Sequence, residues 1–414
     1  RTYEIIENIF KSLSKEFSSR RVHIGMDEAH KVGLGKYLDI HGYQNRYELL
    51  MRHLNKVCDI AKKYGFEPMM WDDMFFRIIS RGRYEPVESF PPEIQNNVPD
   101  NVSLVYWDYY HEEYEDYIKM IESTKKLSEK IWFAGGAWCW GSFTPHNRVS
   151  MRRNEQAIKA CADSGIRNVI LTMWGDNGGE CPYYDVLPAL MHAAAVAEGL
   201  DEKEMKAKFK KITGDDFDAF KDLDLPNYIL GEDKVMNTVA YSKNRFYNDP
   251  FLGLLDLNVE GADEKLFAKY RARLAKDAKN SKNFGYVYDV QAKLCSVLEI
   301  KFSLGIRTRE LYEKGDKEGL KALALTDYTK CIGRVKKFYE AFRVQWYTCN
   351  KPFGFEVQDA RFGGMILRLE NCRRVLIDYA DGKIKTIPEL DEKQLPNDGP
   401  RSNFWSKLVT ACPI

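Results

Sequence analysis

The sequence lacks the features that mark several classes of protein. Its 62 Lys and Arg nearly balance its 61 Asp and Glu, and no long run of one sign occurs. A nucleic-acid surface or an anionic-membrane surface is therefore not indicated. The longest apolar stretch, residues 189–197, is too short to form a transmembrane helix.

Paired cysteines and an initiator methionine are also lacking. The nine cysteines are odd in number and scattered, and none forms a C-x-x-C pair. Neither a zinc ribbon nor a disulfide framework is indicated, and we expect reduced thiols in a protein of the cytoplasmic type. The chain opens with RTYEII, already in a helical pattern. We therefore expect that its true N-terminus precedes Arg1, which leaves a targeting signal open.

What is present is an alternation of strand-like and helix-like segments over the first half. Short β-branched or aromatic runs lie at 22–26, 67–71, 103–107, 130–135 and 168–174. The intervening segments have the apolar period of helices, as in 43–65. This alternation predicts an α/β fold with parallel strands and right-handed crossovers.

The repeat length fits a (β/α)8 TIM barrel, which needs eight strands. Only five are found, so the segment is either a smaller open sheet or strands four to eight of a barrel whose first three βα units are missing. We predict the second, with the barrel portion in residues 1–199. Residues 200–414 are charged and helical in pattern, and they predict an α-helical C-terminal domain with an irregular tail from about 387.

Polar and aromatic residues follow each predicted strand. Because the carboxyl ends of parallel barrel strands form the active face, these residues are the candidate site. They are Asp27 and Glu28 after the first strand, Trp71 at the end of the second, Trp107 and Tyr109 around the end of the third, Trp138 after the fourth, and Trp174 and Asp176 around the end of the fifth.

Indole rings flanked by carboxylates are typical of sugar sites. The apolar face of a pyranose stacks on an indole, and carboxylates accept hydrogen bonds from hydroxyls. Any single tryptophan is as well explained by core filling. The repetition of Trp and Asp at successive strand ends favours a sugar pocket.

The adjacent acids Asp27 and Glu28 allow three interpretations. They could bind a divalent metal with His23 or His30, form a structural salt bridge with Arg20 or Arg21, or act on a glycosidic bond. An ordinary glycosidase places two carboxyl groups on opposite sides of that bond. Consecutive residues lie only ~3.8 Å apart at Cα, which fits that scheme poorly.

A substrate that supplies its own nucleophile fits adjacent acids better. The carbonyl oxygen of a 2-acetamido group can attack the anomeric carbon. The enzyme then needs one acid for the leaving oxygen and one carboxylate for the acetamido N–H. Asp27 and Glu28 could fill these two roles without flanking the sugar.

The segment 23-HIGMDEAH-30 resembles the His-x-Gly-x-Asp-Glu signature of glycoside hydrolase family 20, the β-N-acetylhexosaminidases. Further segments resemble the bacterial exo-β-N-acetylglucosaminidase branch, which carries a helical C-terminal domain. They are 33-GLGKYLDIHG-42, 71-WDDMFFR-77, 106-YWDYYHEE-113, 172-TMWGDNGGE-180 and 351-KPFGFEVQDARFGG-364. The resemblance covers nearly the whole chain.

The resemblance implies a role for each candidate residue. Glu28 would be the general acid and then the base, and Asp27 would orient the acetamido group. His23 would support Asp27 from behind, although a satisfied core histidine explains it equally well. The remaining candidates would bind the terminal sugar: Trp71, Trp107, Trp138 and Trp174 as walls, and Asp176 at the outer hydroxyls.

The chain departs from the family pattern in two places. Family members carry a strand-seven Tyr that bonds the acetamido oxygen, but 132-WFAGGAWCWGSF-143 has none. Tyr109 or Tyr110 would substitute, with Tyr109 preferred, and Trp140 could replace Trp138. The strand-one Arg of the family is also absent.

The resemblance implies a glycan partner with a terminal β-linked N-acetylhexosamine, and no metal, cofactor, nucleic acid or membrane. Residues 346–361 are dense in aromatic and polar groups. Their plain interpretation is helix capping and domain packing. The alternative is that they line the pocket rim of a neighbouring subunit in a homodimer.

Overall fold

The structure, a computed structural model, describes residues 1–231, 241–256 and 263–394. Its first half contains a five-stranded parallel sheet in the order β1-β2-β3-β4-β5. The strands are β1 (Arg21–His23), β2 (Glu67–Trp71), β3 (Ser103–Trp107), β4 (Ile131–Gly136) and β5 (Val169–Thr172). The five predicted strands are therefore confirmed in type and order.

Helices connect the strands and continue through the second half. Those before residue 200 are α1 (Thr2–Glu16), α2 (Lys36–His41), α3 (Arg46–Lys63), α4 (Asp73–Ile79), α5 (Pro92–Gln95), α6 (Tyr114–Lys125), α7 (Asn147–Asp163) and α8 (Leu187–Glu198). Those after it are α9 (Glu202–Thr213), α10 (Phe217–Lys221), α11 (Tyr241–Tyr247), α12 (Leu266–Asn280), α13 (Gly285–Glu313), α14 (Lys317–Leu323), α15 (Thr329–Cys349), α16 (Phe355–Ala380) and α17 (Pro388–Asp391).

The fold matches the predicted class: a parallel sheet with helical crossovers, as in part of a (β/α)8 barrel, followed by a helical region. Within the helical region, α14 and α15 are joined by a π turn at Ala324–Tyr328. The tail is described only to residue 394, and it includes α17, where an irregular tail is expected. Residues 395–414 of that expected tail lie outside the described residues.

The two faces of the sheet have different contents, as the period of two along a strand requires. On β3, Leu104 and Tyr106 are fully buried in a core shared with α3, α6 and α7. Val105 and Trp107 belong to the opposite face. That second face also holds Trp71 at the end of β2. Two candidate indoles therefore share one face at the carboxyl ends of neighbouring strands.

Only part of the apolar surface of the first helix, α1, is buried. Phe10 is buried, and Ile6 and Leu13 pack beside it. Ile5 and Ile9 are more than half exposed. The stripe at positions 6, 10 and 13 follows the helical period, and the other two isoleucines lie outside it.

Packing divides the chain into two compact units. The first comprises Arg1–Gly136, Arg152–Thr172 and Val196–Gly199. The second comprises Ala137–Met151, Met173–Ala195 and the chain from Leu200 onward. The expected domain boundary between residues 199 and 200 stays a prediction. Among the described residues, no helix is both long and apolar enough to cross a membrane.

An aromatic cluster forms the centre of the second unit. Phe143, from the loop after β4, is fully buried there. Its ring centroid lies 5.3 Å from that of Phe338, 5.5 Å from those of Phe246 and Phe342, and 6.1 Å from that of Phe362. Edge-to-face pairs at such distances add stabilisation beyond area burial. The loop after β4 is therefore anchored in the helical core.

Gly135 in β4 has no room for a side chain. A Cβ there would lie 2.2 Å from Asn154 Oδ1, 3.1 Å from Phe133 Cε1 and 3.3 Å from Leu171 Cδ2. We predict that Gly135→Ala lowers the free energy of unfolding by about 1–3 kcal/mol through overpacking. Urea denaturation followed by circular dichroism measures it.

The matched control is Gly364→Ala in α16, where nothing lies within 4 Å of the added Cβ. Alanine is about 1 kcal/mol better than glycine in a helix interior, so this variant should be neutral or stabilised. Equal urea midpoints for Gly135→Ala and the wild type would contradict the steric argument.

Candidate active site

The segment after β1 makes a strained turn that ends at the adjacent acids. Gly25, Met26 and Glu28 all have positive φ, of 74°, 80° and 48°. For the two non-glycine residues this conformation costs of order 1–3 kcal/mol each and persists only where surrounding contacts enforce it. The backbone of Gly25 supplies one such contact, because its carbonyl accepts the Trp71 N–H at 3.1 Å. The turn leaves Asp27 and Glu28 exposed.

A second contact fixes Glu28 from α4, the helix that follows the neighbouring strand β2. The Glu28 backbone N–H donates to Asp73 Oδ2 at 3.1 Å, and Arg77 Nε donates to the same oxygen at 2.6 Å. Arg77 also donates to Glu28 Oε1 at 3.2 Å. Asp73 is fully buried, whereas the Glu28 side chain is 54% exposed. The backbone of Glu28 is thus held by the buried carboxylate of Asp73, while the carboxylate of Glu28 itself stays accessible.

The other acid of that motif, Asp72, is held in a different way. It is fully buried and accepts hydrogen bonds from the hydroxyls of Tyr84 and Thr124. Burial raises the pKa of Asp72 to about 8, although both hydrogen bonds oppose this shift. Asp72 is therefore protonated at neutral pH. It fixes Tyr84, whose ring lies 5.0 Å from that of Trp107.

His23 lies against Trp71, with their ring centroids 4.3 Å apart. Its Nδ1 accepts the Gly25 N–H at 3.1 Å. Burial lowers the pKa of His23, although the charge of Asp27 opposes this shift. A neutral imidazole that accepts at Nδ1 carries its proton on Nε2. His23 therefore presents an N–H donor, and its support of Asp27 stays a prediction.

Trp107 and Tyr109 stack on each other, with centroids 5.3 Å apart and ring planes at 29°. Tyr109 is buried, and its carbonyl accepts from Arg153 at 2.7 Å. Tyr110 is exposed and T-shaped to Trp107. Asp108 fixes this turn, because it accepts the backbone N–H of Tyr110 at 2.9 Å. The role of Tyr109 at the acetamido oxygen stays a prediction.

Three buried polar atoms in this region have no hydrogen-bond partner within the described chain. They are His23 Nε2, Asp73 Oδ1 and Trp107 Nε1. Most buried polar atoms in proteins are paired, so each exception needs an explanation. These two donors and one acceptor are next to Glu28 and the two indoles. A polar ligand bound there would satisfy them.

The second unit holds the remaining candidates on two loops. Trp138 is 4% exposed and stacks on Trp140, with centroids 4.2 Å apart and planes at 13°. Its indole N–H donates to the Trp140 carbonyl at 3.1 Å. Both rings are therefore largely covered in this structure. The sugar wall assigned to Trp138, or to Trp140 in its place, stays a prediction.

Trp174 and Asp176 lie on the loop after β5 and are both exposed, the indole by 39%. The loop after β4 holds their backbone. Cys139 Sγ donates to the Trp174 carbonyl at 3.4 Å, and the Gly141 N–H donates to the Asp176 carbonyl at 3.0 Å. With their backbone held in this way, Trp174 and Asp176 both keep side-chain surface exposed to solvent.

Sequence reasoning missed three residues of the first unit, Asp73, Arg77 and Tyr84. The signal for the first two was visible, because 71-WDDMFFR-77 places an acid and an Arg one helical turn apart. Tyr84 carries no such signal, since it reaches Asp72 from an irregular segment. Within the described residues, no three or more His, Cys, Asp or Glu side chains are grouped so that they could hold a metal ion.

Two protein-family models match the chain. Residues 1–126 match the glycosyl hydrolase family 20 catalytic domain, and residues 215–410 match the glycoside hydrolase 20C C-terminal domain. Together the matches span more than half of the chain. The chain belongs to glycoside hydrolase family 20. The resemblance seen in the sequence is thereby confirmed at the level of the family.

The solved structures that are similar to this family 20 chain include the following two. One is the GH20 exo-β-N-acetylglucosaminidase from Vibrio harveyi in complex with N-acetylglucosamine, at 16% identity and a TM-score of 0.33, covering 50% of this chain and 33% of that one. This chain therefore spans about a third of that enzyme. The other is a GH138 enzyme targeting pectin rhamnogalacturonan II, at 8% identity and a TM-score of 0.38, covering 92% and 79%. No curated protein matches the chain.

The protonated Asp72 predicts a pH dependence of the stability of this family 20 chain. Between about pH 4 and 8 the unfolded chain carries an ionised Asp72, while the folded chain keeps its proton. The free energy of unfolding should therefore fall as pH rises through this window. In Asp72→Asn that contribution to the slope should vanish, so the variant gains stability relative to the wild type from pH 5 to pH 8.

Urea midpoints at four pH values across the window measure the difference. Asp59→Asn, an exposed substitution on α3, is the control and should track the wild type. Parallel wild-type and Asp72→Asn profiles would show that Asp72 is ionised in the folded protein.

Proposed function

We propose that the protein is a retaining exo-β-N-acetylhexosaminidase that removes a terminal β-GlcNAc or β-GalNAc from glycans by substrate-assisted catalysis. Glu28 is the acid and then the base, and Asp27 is the acetamido-orienting carboxylate. The observation that carries the proposal is the adjacency of these two exposed acids on a turn enforced by buried contacts.

The first step forms an oxazolinium-type intermediate. The acetamido carbonyl oxygen attacks the anomeric carbon as the bond from that carbon to the leaving oxygen breaks. Glu28 donates its proton to the leaving oxygen, and Asp27 accepts the acetamido N–H and stabilises the positive charge. Water then attacks the same carbon, opens the ring and gives a proton to Glu28. Two inversions at one carbon retain the β configuration.

The contacts of Glu28 support this division of labour. A group that donates and then accepts a proton must reach the reacting oxygen, so its carboxylate has to be accessible while its backbone is fixed. The bond from the Glu28 N–H to buried Asp73 fixes the backbone. The Arg77 guanidinium is largely buried, but the Glu28 carboxylate that it contacts at 3.2 Å is half exposed, so a substrate can reach that carboxylate and displace the contact.

The unpaired atoms His23 Nε2, Trp107 Nε1 and Asp73 Oδ1 support a ligand that offers hydrogen-bonding groups. The neighbouring indoles favour a ligand that also has an apolar face. A pyranose offers several hydroxyls and one face of C–H groups, and an indole suits that face. We assign stacking to Trp71 and Trp107, and a hydroxyl contact to the His23 Nε2–H. Trp138 and Trp174 are further walls, Asp176 accepts bonds from the outer hydroxyls, and Tyr109 contacts the acetamido oxygen.

The test is Glu28→Gln in the full-length protein. The amide cannot donate the acid's proton, so kcat on an aryl β-N-acetylglucosaminide with a poor leaving group should fall by about 10²–10⁴. A thiazoline mimic of the intermediate should still bind, because Asp27 is retained. Steady-state kinetics and calorimetric titration give the two readouts.

Glu48→Gln, an exposed acid on α3, is the matched control and should keep wild-type kinetics. A Glu28→Gln variant with near-wild-type turnover would overturn the assignment of the acid. Loss of wild-type activity on addition of a chelator would instead favour a metal-dependent hydrolase that uses Asp27 and Glu28 as metal ligands. A wild-type protein that binds the thiazoline without turnover would favour a sugar-binding role.

A further inference from the structure

We propose that Glu180 is a positioning residue for the sugar-binding side chains Trp174 and Asp176, acting through a buried charge cluster with Lys243 and Arg361. The inference rests on the proposed function. It concerns a residue that touches neither the substrate nor the reacting atoms. All five residues belong to the second compact unit.

The carboxylate of Glu180 has no exposed surface and has three partners from two helices. Its Oε2 accepts from Lys243 Nζ on α11 at 2.7 Å. Its Oε1 accepts from Gln358 at 3.2 Å and from Arg361 at 3.1 Å, both on α16. A third helix, α15, holds the backbone, because Gln345 donates to the Glu180 carbonyl at 3.2 Å. Four side chains thus fix the end of the loop after β5.

A tight turn transmits this anchoring to the exposed end of the loop. Gly178 has φ 124°, and a Cβ there would lie 2.4 Å from Glu180 Oε1. Gly179 follows in the left-handed region with φ 59°. The turn therefore folds over the carboxylate, and only glycine fits at Gly178. Displacing the carboxylate would displace the turn that begins at Asp176.

At the exposed end of the loop, bonds to the backbone hold the chain. The backbone carbonyls of Trp174 and Asp176 are held by the bonds from Cys139 and Gly141. The buried end carries the stronger, charge-assisted bonds. Side-chain placement at the exposed end therefore depends on Glu180 staying in its place.

The charge balance of the cluster makes this dependence sensitive to pH. Burial lowers the pKa of Lys243 to about 8, opposed by the charge of Glu180. The charged groups that face Lys243 are Glu180 and Arg361, and Tyr247 on α11 also faces Glu180. The Phe143 ring lies 5.3 Å from Nζ. Loss of the Lys243 proton leaves the buried carboxylate with Arg361 as its cation.

A purely structural ion pair would give a different result from a positioning residue. A structural pair changes the midpoint of unfolding and leaves the kinetics of the folded protein unchanged. A positioning residue changes sugar affinity in molecules that remain folded. Misplacement of a binding group by about 1 Å can cost on the order of 100-fold.

The experiment measures thiazoline affinity, kcat and KM for the full-length wild type, Glu180→Gln and Lys243→Met from pH 6.5 to 9.5. Wild-type affinity should fall above about pH 8 as Lys243 loses its proton. Glu180→Gln should weaken affinity and raise KM by about ten- to a hundredfold, with a smaller loss of kcat. Lys243→Met should bind the thiazoline weakly at every pH, and its affinity should not fall further above pH 8.

Lys206→Met is the matched control, because Lys206 pairs with the more exposed Glu202 and Asp218 in the same unit. It should keep wild-type affinity. Glu180→Gln keeps the size of the side chain and removes its charge, so it decides the question even where Lys243→Met does not fold. A folded Glu180→Gln variant with unchanged affinity and KM would overturn the positioning role alone. Wild-type protein that neither binds thiazoline nor turns over substrate would contradict the proposed function and this inference with it.

Discussion

The parallel register of the sheet is the constraint on which the candidate active site depends. Parallel pairing aligns His23 with Met69 and Trp71 with Val105, so neighbouring strands end on the same side. The alternation of side chains then selects a face. Trp71 and Trp107 lie on the face opposite the core that β3 shares with α3, α6 and α7. A register shift of one residue would send both indoles into the helix-side core.

Two pairs of adjacent acids show how burial separates chemical roles within one site. Asp72 and Asp73 are both fully buried, and they cannot both carry an uncompensated charge. Burial keeps Asp72 protonated beside the hydroxyls of Tyr84 and Thr124, and Asp73 pairs with Arg77. Asp27 and Glu28 are solvated, so their adjacency costs little. The buried pair therefore serves as the support, and the exposed pair is left for chemistry on a substrate.

The sequence predicts the parts of the fold that rest on local pattern. The five strands and helix α3 follow from apolar periods, and the stop of α3 falls near Gly65, which has positive φ. The contacts that fix Glu28 could be predicted only in part. Asp73 and Arg77 are four residues apart on one helix, but their meeting with Glu28 depends on strand pairing across 45 and 49 residues.

Burial of the tryptophans is the feature least accessible to sequence reasoning. The four tryptophans assigned to the sugar pocket all follow or end strands, yet Trp138 is covered by Trp140 while Trp174 stays exposed. The difference arises from where each loop is anchored. The loop after β4 is held by Phe143 in the aromatic core, and a period of two or 3.6 residues carries no information about that insertion.

The same anchoring explains why the loops after β4 and β5 need the helical part of the chain. Within the second unit, Phe143 and Glu180 each end a loop in the core made by α11, α13, α15 and α16. A loop exposed at its functional end needs a rigid support elsewhere, because ordering a free loop on binding costs conformational entropy. The helical core provides that support before any ligand arrives. The sugar-binding side chains assigned to the loop after β5 therefore depend on residues more than 60 positions further along the chain.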